Sequence, residues 1–425
     1  MTDLFEDLAY RGLIHQETDP EGLRRHCAER SRSVYAGFDP TAASLTIGNL
    51  VPLLLLRRFQ DAGHRPVVVA GGGTGLIGDP SGKEAERTLR TREEIDRNLA
   101  GQRSIFERVL DFTGPRAARI LNNADWLEKL SFLTALRDVG KHFSVNMMIA
   151  KDSVRRRLEQ REQGISFTEF SYMLLQAYDF QHLYEAEDVT IQVAGSDQWG
   201  NIVAGVDLVR RARQEEIFGL TAPLVTKADG TKFGKTESGA IWLSPEFTSP
   251  YAFYQFWLNS LDADVPRYLK IFTLLPREEI DALVREHEKD PGARTAHRAL
   301  AAHVTDLLHG KEAREQAEAA SRALFSGDVL GLSRATLEEV FAHAPSTELP
   351  SSELDGEGLP VVDLLVKVGA AKSKREAREF LSSGAVLVNG LRSGPDDRFT
   401  KERLLHGALA LVRRGKKSWH VVRFA

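Results

Sequence analysis

Cysteine is almost missing from this chain, with Cys27 the only one in 425 residues. One thiol supports neither a disulfide framework nor a cysteine-based metal site, so a reducing cytoplasm is the expected location. Long apolar runs are missing as well. The nearest candidate, Leu50 to Leu56, is interrupted by Pro52 and stops at Arg57 and Arg58, well short of the roughly 18 residues a membrane span needs. Met1 to Asp7 is acidic and lacks the basic and apolar regions of a signal peptide. Neither a membrane partner nor a dedicated metal site is expected, since no carboxylate cluster marks one.

What the chain does contain is the mixture of an ordinary globular protein, 42% apolar and 27% charged, over a length that suits roughly two to three domains. The net charge of -4 hides an asymmetry. From Asp355 to Ala425 there are 14 Lys/Arg against 8 Asp/Glu, which leaves 42 against 52 in the preceding 354 residues. A basic tail on an acidic body is the footprint of a segment that meets nucleic acid phosphates, although it also serves solubility.

Ser33 to Phe38 reads as a strand, Pro40 and Thr41 turn the chain, and Asn49 to Ala62 has helical spacing. Pro66 to Gly71, with Val67, Val68, Val69 and Ala70 unbroken, reads as a strand buried on both faces. This is a βαβ unit, whose ligand sits at the carboxyl ends of the strands. Gly71, Gly72, Gly73, Gly75 and Gly78 follow at that end. Helices are expected at Glu93 to Leu110, Asp125 to Asp138, Ser153 to Glu162 and Phe167 to Tyr178, and a third strand at Val189 to Ala194. Residues 249 to 325 carry long helical patterns, and 331 to 358 lack a durable period and read as a linker. From Leu359 a compact mixed domain follows, with helices to Val368 and from Ser373 to Ser382. Its short strands are at Ala385 to Val388, Ala408 to Val412 and Trp419 to Phe424.

Four constellations carry chemistry. Lys232, Phe233, Gly234, Lys235 and Thr236 place two ammonium groups around a glycine, between Gly230 and Gly239, as a clamp on polyphosphate needs. Taken alone, such a loop is more often a surface turn. Tyr35, Ala36, Gly37, Phe38, Asp39, Pro40 and Thr41, followed by Thr46, Ile47, Gly48 and Asn49, end a strand and begin a helix whose N–H groups favour phosphate. Asp79, Pro80, Ser81, Gly82 and Lys83, then Arg87, form a second glycine-bearing cationic loop, readable equally as solvated helix charges. Gly195, Ser196, Asp197 and Gln198 end a strand in a carboxylate suited to a ribose diol.

In this order, these stretches resemble bacterial tyrosyl-tRNA synthetases, class I aminoacyl-tRNA synthetases, from about residue 5 to the C-terminus. The resemblance rests on Tyr35 to Leu50, Gly71 to Lys83, Gly164 to Phe180, Gly195 to Asn201 and Lys227 to Thr236. It implies an α/β fold: a Rossmann-like parallel-sheet nucleotide-binding domain with an inserted dimerisation segment over 1 to 228. A mobile lysine loop and α-helical domain would follow over 229 to 330, then the linker over 331 to 358 and a small α+β S4-like RNA-binding domain over 359 to 425. The implied reaction is activation of L-tyrosine by ATP, with Mg²⁺ accompanying the nucleotide, then transfer to the terminal ribose of tRNA(Tyr) by a homodimer.

The resemblance also implies roles. Tyr35 and Asp179 would meet the phenol hydroxyl; Asp79, Tyr172 and Gln176 would hold the α-ammonium group, with Gln192 and Gln198 nearby. Tyr172, Gln176 and Asp179 share one helix face by their spacing. ATP would meet Gly37, Asp39, Gly48, Asn49, Gly195, Asp197, Lys235 and Thr236. Lys83, Arg87, Lys232 and Lys235 would neutralise pyrophosphate, with Thr41 and Thr46 as hydroxyl donors. RNA phosphates would meet Lys372, Lys374, Arg375, Arg378, Arg413, Arg414, Lys416 and Lys417. The sequence departs from the family at the helix start, where Thr46 and Asn49 replace two histidines. A catalytically weakened paralogue kept for RNA binding is the alternative this raises, and adenylylation of another amino acid is a third reading.

Overall fold

The structure is a computed structural model, describing residues 3–79, 90–151, 154–155, 158, 165–231, 233–236, 239–326, 328–342, 344–415 and 418–425, with the side chains of 235, 236 and 324–326 outside the description. It divides into two compact units, Met1–Ser249 with Trp257–Leu308, and Pro250–Phe256 with His309–Ala425.

In the first unit, six strands form one sheet: β1 (Gln16–Glu17), β2 (Ser33–Phe38), β3 (Arg65–Ala70), β4 (Arg119–Asn122), β5 (Val189–Gly195) and β6 (Phe218–Ala222). Their order is β1-β6-β5-β2-β3-β4. All pairs are parallel except β1 with β6. The apolar run Val67 to Ala70 is buried throughout, and so is Val189 to Ala194 with its Thr190 and Gln192, as expected of a sheet covered on both faces. The chain leaves β2 toward β3 and returns on the other side at β5. The order therefore reverses between β2 and β5, which places a ligand crevice beyond their carboxyl ends.

Two helices position that crevice. Helix α1 (Leu50–Asp61) follows β2 and buries Leu50, Leu53, Leu54, Leu55, Leu56 and Phe59. Helix α2 (Phe167–Glu187) begins at Ser166, whose side chain accepts from the Glu169 N–H at 3.2 Å. It ends at Asp188 in the left-handed region, φ 51°. It runs two turns past the expected Tyr178, because Phe180 and Leu183 continue its apolar face onto β2 and β3.

Asp125 to Asp138 is not one helix, as its sequence suggests. Ala124–Leu127 is a single turn, Ser131 caps a new start by accepting from the Thr134 N–H at 3.1 Å, and Ala135–Val139 is a π-turn. The expected helix at Ser153 to Glu162 lies largely outside the described residues. Strands β4 and β6 carry no clear sequence signal, since they are short and include polar or small residues such as Asn122, Gly219 and Thr221.

In the second unit, a five-stranded sheet contains β7 (Ser346–Leu349), β8 (Val386–Val388), β9 (Leu391–Arg392), β10 (Leu409–Arg414) and β11 (Ser418–Phe424), ordered β9-β8-β10-β11-β7. Side chains alternate across it. Ala410, Val412, Val422 and Phe424 pack with helices Val361–Lys367 and Lys374–Ser382, while Leu409, Leu411 and Val421 pack with Ala320, Leu337 and Phe341. The interval 331 to 358 is therefore built in rather than a bare linker. It holds helix Arg334–Val340 and strand β7, which pairs in parallel with β11 from Ser346↔Val421 to Leu349↔Phe424. Backbone pairing supplies that strand, so no apolar period announces it.

Candidate active site

Beyond β2 and β5, one hydrogen-bonded chain of buried side chains links four elements. Asp179 on α2 is 3% exposed and accepts from Trp126 Nε1 at 2.7 Å and Asn123 Nδ2 at 2.9 Å. Asn123 also donates to Thr74 Oγ1 at 3.0 Å, and its Oδ1 accepts from the Gly73 N–H at 2.8 Å. Thr74 donates to Asp39 Oδ1 at 2.8 Å, and the Tyr172 hydroxyl donates to Asp39 Oδ2 at 3.0 Å. Glycine is required in this loop: a Cβ on Gly71 would come 2.2 Å from Asp39 Oδ1, and one on Gly72 would come 2.1 Å from Asn122 Oδ1.

Tyr35 completes the pocket from β2. Its ring meets Phe180 edge-on at 5.1 Å, and in register it pairs with Gln192 of β5 and Val67 of β3. Its hydroxyl is buried with no hydrogen-bond partner among the described residues, and so is Gln192 Oε1. Buried polar atoms of this kind call for a ligand. Burial, reinforced by the Asp179 carboxylate, pushes the Tyr35 phenol well above its ordinary value. Burial likewise raises Tyr172, together with the charges of Asp39 and Asp79. Burial lifts the Asp179 carboxyl to about 7, against the lowering effect of the Asn123 and Trp126 hydrogen bonds.

A second cluster lies around β5's end. Gln198 Nε2 donates to Asp79 Oδ2 at 2.7 Å and to Asp197 Oδ2 at 3.4 Å, while its Oε1 accepts from Asn201 Nδ2 at 3.1 Å. Burial raises the Asp197 carboxyl, and Asp79 adds to the effect. Gln176 on α2 is half-buried between Tyr172 and Asp179 in sequence. Asp39, which the resemblance assigned to ATP, is bonded to Tyr172 and Thr74 and belongs to the phenol-side chain of contacts.

The lysine loop reaches the start of α1 through its backbone. Leu243 N–H donates to Leu45 O at 2.8 Å, Ile47 N–H to Ile241 O at 3.0 Å, and Ile241 N–H to Gly234 O at 3.0 Å. Gly234 has φ 76°, and a Cβ there would lie 2.4 Å from Ile47 Cγ2, so only glycine fits. Lys235–Thr236 pairs with Gly239–Ala240 as a two-residue hairpin. Gly37 and Gly48 have exposed, open surfaces, with nothing within 4 Å of a Cβ on Gly37. Thr41 is exposed, and its N–H donates to Asp39 O at 2.8 Å. Thr46 donates both its hydroxyl, at 2.8 Å, and its N–H, at 3.0 Å, to Asn49 Oδ1. Lys83, Arg87 and Lys232 lie outside the described residues, as do Lys416 and Lys417.

Residues 28–326 match the family described as tRNA synthetases class I (W and Y). The chain belongs to this family. Residues 337–422 match the Tyrosine–tRNA ligase SYY-like C-terminal domain. The tyrosine–tRNA ligase of Geobacillus kaustophilus (strain HTA426) is 54% identical over 426 residues, covering 100% of both chains. That of Geobacillus stearothermophilus is 53% identical with the same coverage. A C-terminally truncated mitochondrial tyrosyl-tRNA synthetase of Aspergillus nidulans superposes with TM-score 0.70 at 32% identity, over 76% of this chain and 95% of that one. The α/β class I fold expected from sequence is thus the fold of this synthetase, and its described residues hold no helix long and apolar enough to cross a membrane.

Two helpers of this site escaped the sequence reading, Asn123 and Trp126. They follow β4, which was itself missed, and Trp126 also stacks on His182 at 4.6 Å. In the synthetase's second unit, Lys372, Lys374, Arg375 and Arg378 are all exposed, with Lys374 paired to Asp363 at 2.7 Å. Arg414 lies 5.3 Å over the Phe380 ring and donates to Ala370 O at 2.8 Å, which brings the β10–β11 hairpin beside that helix. Arg413 instead lies 5.4 Å over Trp419, on the sheet's other face.

Proposed function

We infer that the chain is a tyrosine–tRNA ligase: it activates L-tyrosine with ATP, releasing pyrophosphate, and transfers tyrosine to the 3′-terminal ribose of tRNA(Tyr). The observation that carries the substrate is the buried pair at the pocket floor. The Tyr35 hydroxyl is without a partner among the described residues, and Asp179 keeps acceptor capacity after its two N–H bonds. A phenol hydroxyl placed between them accepts from one and donates to the other. Phenylalanine leaves the Tyr35 hydroxyl unpaired and that acceptor capacity of Asp179 unused. Asp79, Tyr172 and Gln176 receive the α-ammonium group, with Gln192 and Gln198 beside it.

The nucleotide side follows from the helix start. ATP lies over Gly37 and Gly48, with Asn49 and Thr236 as donors and Gly195 and Asp197 at the ribose; Mg²⁺ enters with the nucleotide as part of that substrate. The tyrosine carboxylate is already a nucleophile and needs no general base. Catalysis is therefore orientation and neutralisation of charge growing on the leaving pyrophosphate, the task of Lys83, Arg87, Lys232 and Lys235 with Thr41. Because Asn49 Oδ1 accepts from Thr46, the Asn49 amide N–H groups are left to act as donors, while the Thr46 hydroxyl is spent within the protein. Thr46→His is then expected to raise the pre-steady-state rate of adenylate formation by about tenfold, since one added donor at such a site has an effect of that order or larger. A rate unchanged within twofold contradicts this.

The basic residues of the second unit supply the tRNA surface. Arg375→Ala with Arg378→Ala is expected to weaken tRNA(Tyr) binding and to flatten its dependence on log salt concentration by about one to two. Tyrosine-dependent ATP–pyrophosphate exchange should be unchanged in that variant, and an unchanged salt slope would contradict the assignment. A homodimer is part of the same reading, supported by the exposed apolar residues Phe132 (66%), Leu133 (77%), Val145 (59%) and Phe167 (70%) around the start of α2 and the segment before it. Charging of tRNA(Tyr) with labelled tyrosine tests the whole function. The weakened-paralogue alternative rests on Thr46 and Asn49 and draws no support from the intact pocket.

A further inference from the structure

Phe233 stands between the two lysines of the loop, and its ring sits in an aromatic cup. It stacks on Phe272 with centroids 5.1 Å apart and planes at 20°, and meets Tyr268 at 5.1 Å and Trp257 at 6.0 Å. The cup is itself closely packed. Trp257 and Phe272 lie 4.8 Å apart, Tyr268 and Phe272 5.9 Å, and all three are buried. Tyr268 and Phe272 are four residues apart on helix Val265–Phe272, so their rings share one face.

Two buried arginines hold the end of that helix. Arg58 Nη2 donates to Ile271 O at 3.1 Å and Thr273 O at 3.0 Å. Arg11 donates to Lys270 O at 2.9 Å, Thr273 O at 3.1 Å and Leu275 O at 2.8 Å. Cations at a helix C-terminus satisfy its orphan carbonyls and oppose its dipole. Arg58 belongs to α1, the helix whose first turn follows Thr46 to Asn49. Helix α1 thus meets the lysine loop twice. Its start touches Gly234 through Ile47, and its later turns fix the cup that holds Phe233.

We propose that Phe233 is a positioning residue for adenylate formation. Its ring pins the loop next to Gly234, the residue that meets Ile47, and so fixes where the loop backbone meets the α1 start. The physical reason is entropy. A free loop would have to order several residues when phosphates bind, whereas a loop pinned at its centre has fewer left to order. The proposal rests on the ligase reading, and it adds that an apolar contact remote from substrate controls the clamp.

The test uses the full chain and three proteins: wild type, Phe233→Ala and Phe233→Leu. Rapid-mixing measurement of adenylate formation is paired with tyrosine binding at equilibrium. Phe233→Ala is expected to lower the rate constant about ten- to hundredfold, the scale of an ångström-sized misplacement. Its tyrosine dissociation constant should stay within twofold of wild type, which also shows that the variant is folded. Phe233→Leu should recover most of the rate, because an apolar side chain still fills the cup. Emission from Trp257, identified by difference against Trp257→Phe, should shift in the alanine variant and less in the leucine one. A rate within threefold of wild type in Phe233→Ala overturns the proposal, as does a loss matched by weaker tyrosine binding, or no recovery in Phe233→Leu. If wild type itself forms no adenylate with tyrosine, the ligase reading fails first, and the two failures are separable.

Discussion

Asp179→Ala is expected to lower kcat/KM for tyrosine by about 10²- to 10³-fold in ATP–pyrophosphate exchange. The substitution removes the acceptor for the substrate phenol, and it strands the Trp126 Nε1–H and one N–H of Asn123, which now donate to the carboxylate at 2.7 and 2.9 Å. Unpaired buried donors and the lost charged hydrogen bond together amount to about 3 to 4 kcal/mol. The same residue predicts a pH effect. Burial holds its carboxyl at about 7, so below that pH the empty site keeps a proton that tyrosine binding must displace. The ionised carboxylate is the better acceptor, so affinity rises with pH: about tenfold from pH 6 to pH 8, levelling above. The substrate phenol does not titrate in this range. Equilibrium titration checks it, and a flat profile, or a slope that persists in Asp179→Ala, contradicts the assignment.

Lys235→Ala is expected to slow adenylate formation by about 10²- to 10³-fold while leaving tyrosine affinity unchanged. The ammonium group acts on charge that appears as pyrophosphate leaves, so its loss falls on the rate and not on ground-state binding. Its burden is raised by Thr46, whose hydroxyl is committed to Asn49 and does not serve the phosphates. A double-mutant cycle separates the two effects. The cost of Lys235→Ala should shrink when Thr46→His supplies another donor, and an equal cost in both backgrounds would show that the lysine carries no compensating share.

The centre of the sheet was legible because a strand buried on both faces favours an unbroken apolar run, as Val67 to Ala70 is; Val189 to Ala194 is buried throughout as well, although Thr190 and Gln192 interrupt its apolar residues. The pocket face of α2 was legible because Tyr172, Gln176 and Asp179 keep helical spacing. Other parts were silent for physical reasons. Asn123 and Trp126 reach Asp179 across 56 and 53 residues of chain, so no local pattern records the contact. Strand β7 exists through backbone pairing with β11 and needs no apolar period. The helical run expected through Asp138 failed because Ser131 offers a cap in mid-segment, which competes with helix continuation. Phe233 read only as an apolar residue between two lysines, since the cup that receives it is assembled from residues 257, 268 and 272.

The central claim is that one buried phenol and one buried carboxylate select tyrosine for activation. ATP–pyrophosphate exchange by the wild-type chain, run with tyrosine and with phenylalanine, tests it most directly. Exchange with tyrosine is predicted, with kcat/KM for phenylalanine lower by a factor near the 10⁵ already known for this class of enzyme. Exchange with phenylalanine at a comparable kcat/KM, or none with tyrosine, would contradict the account.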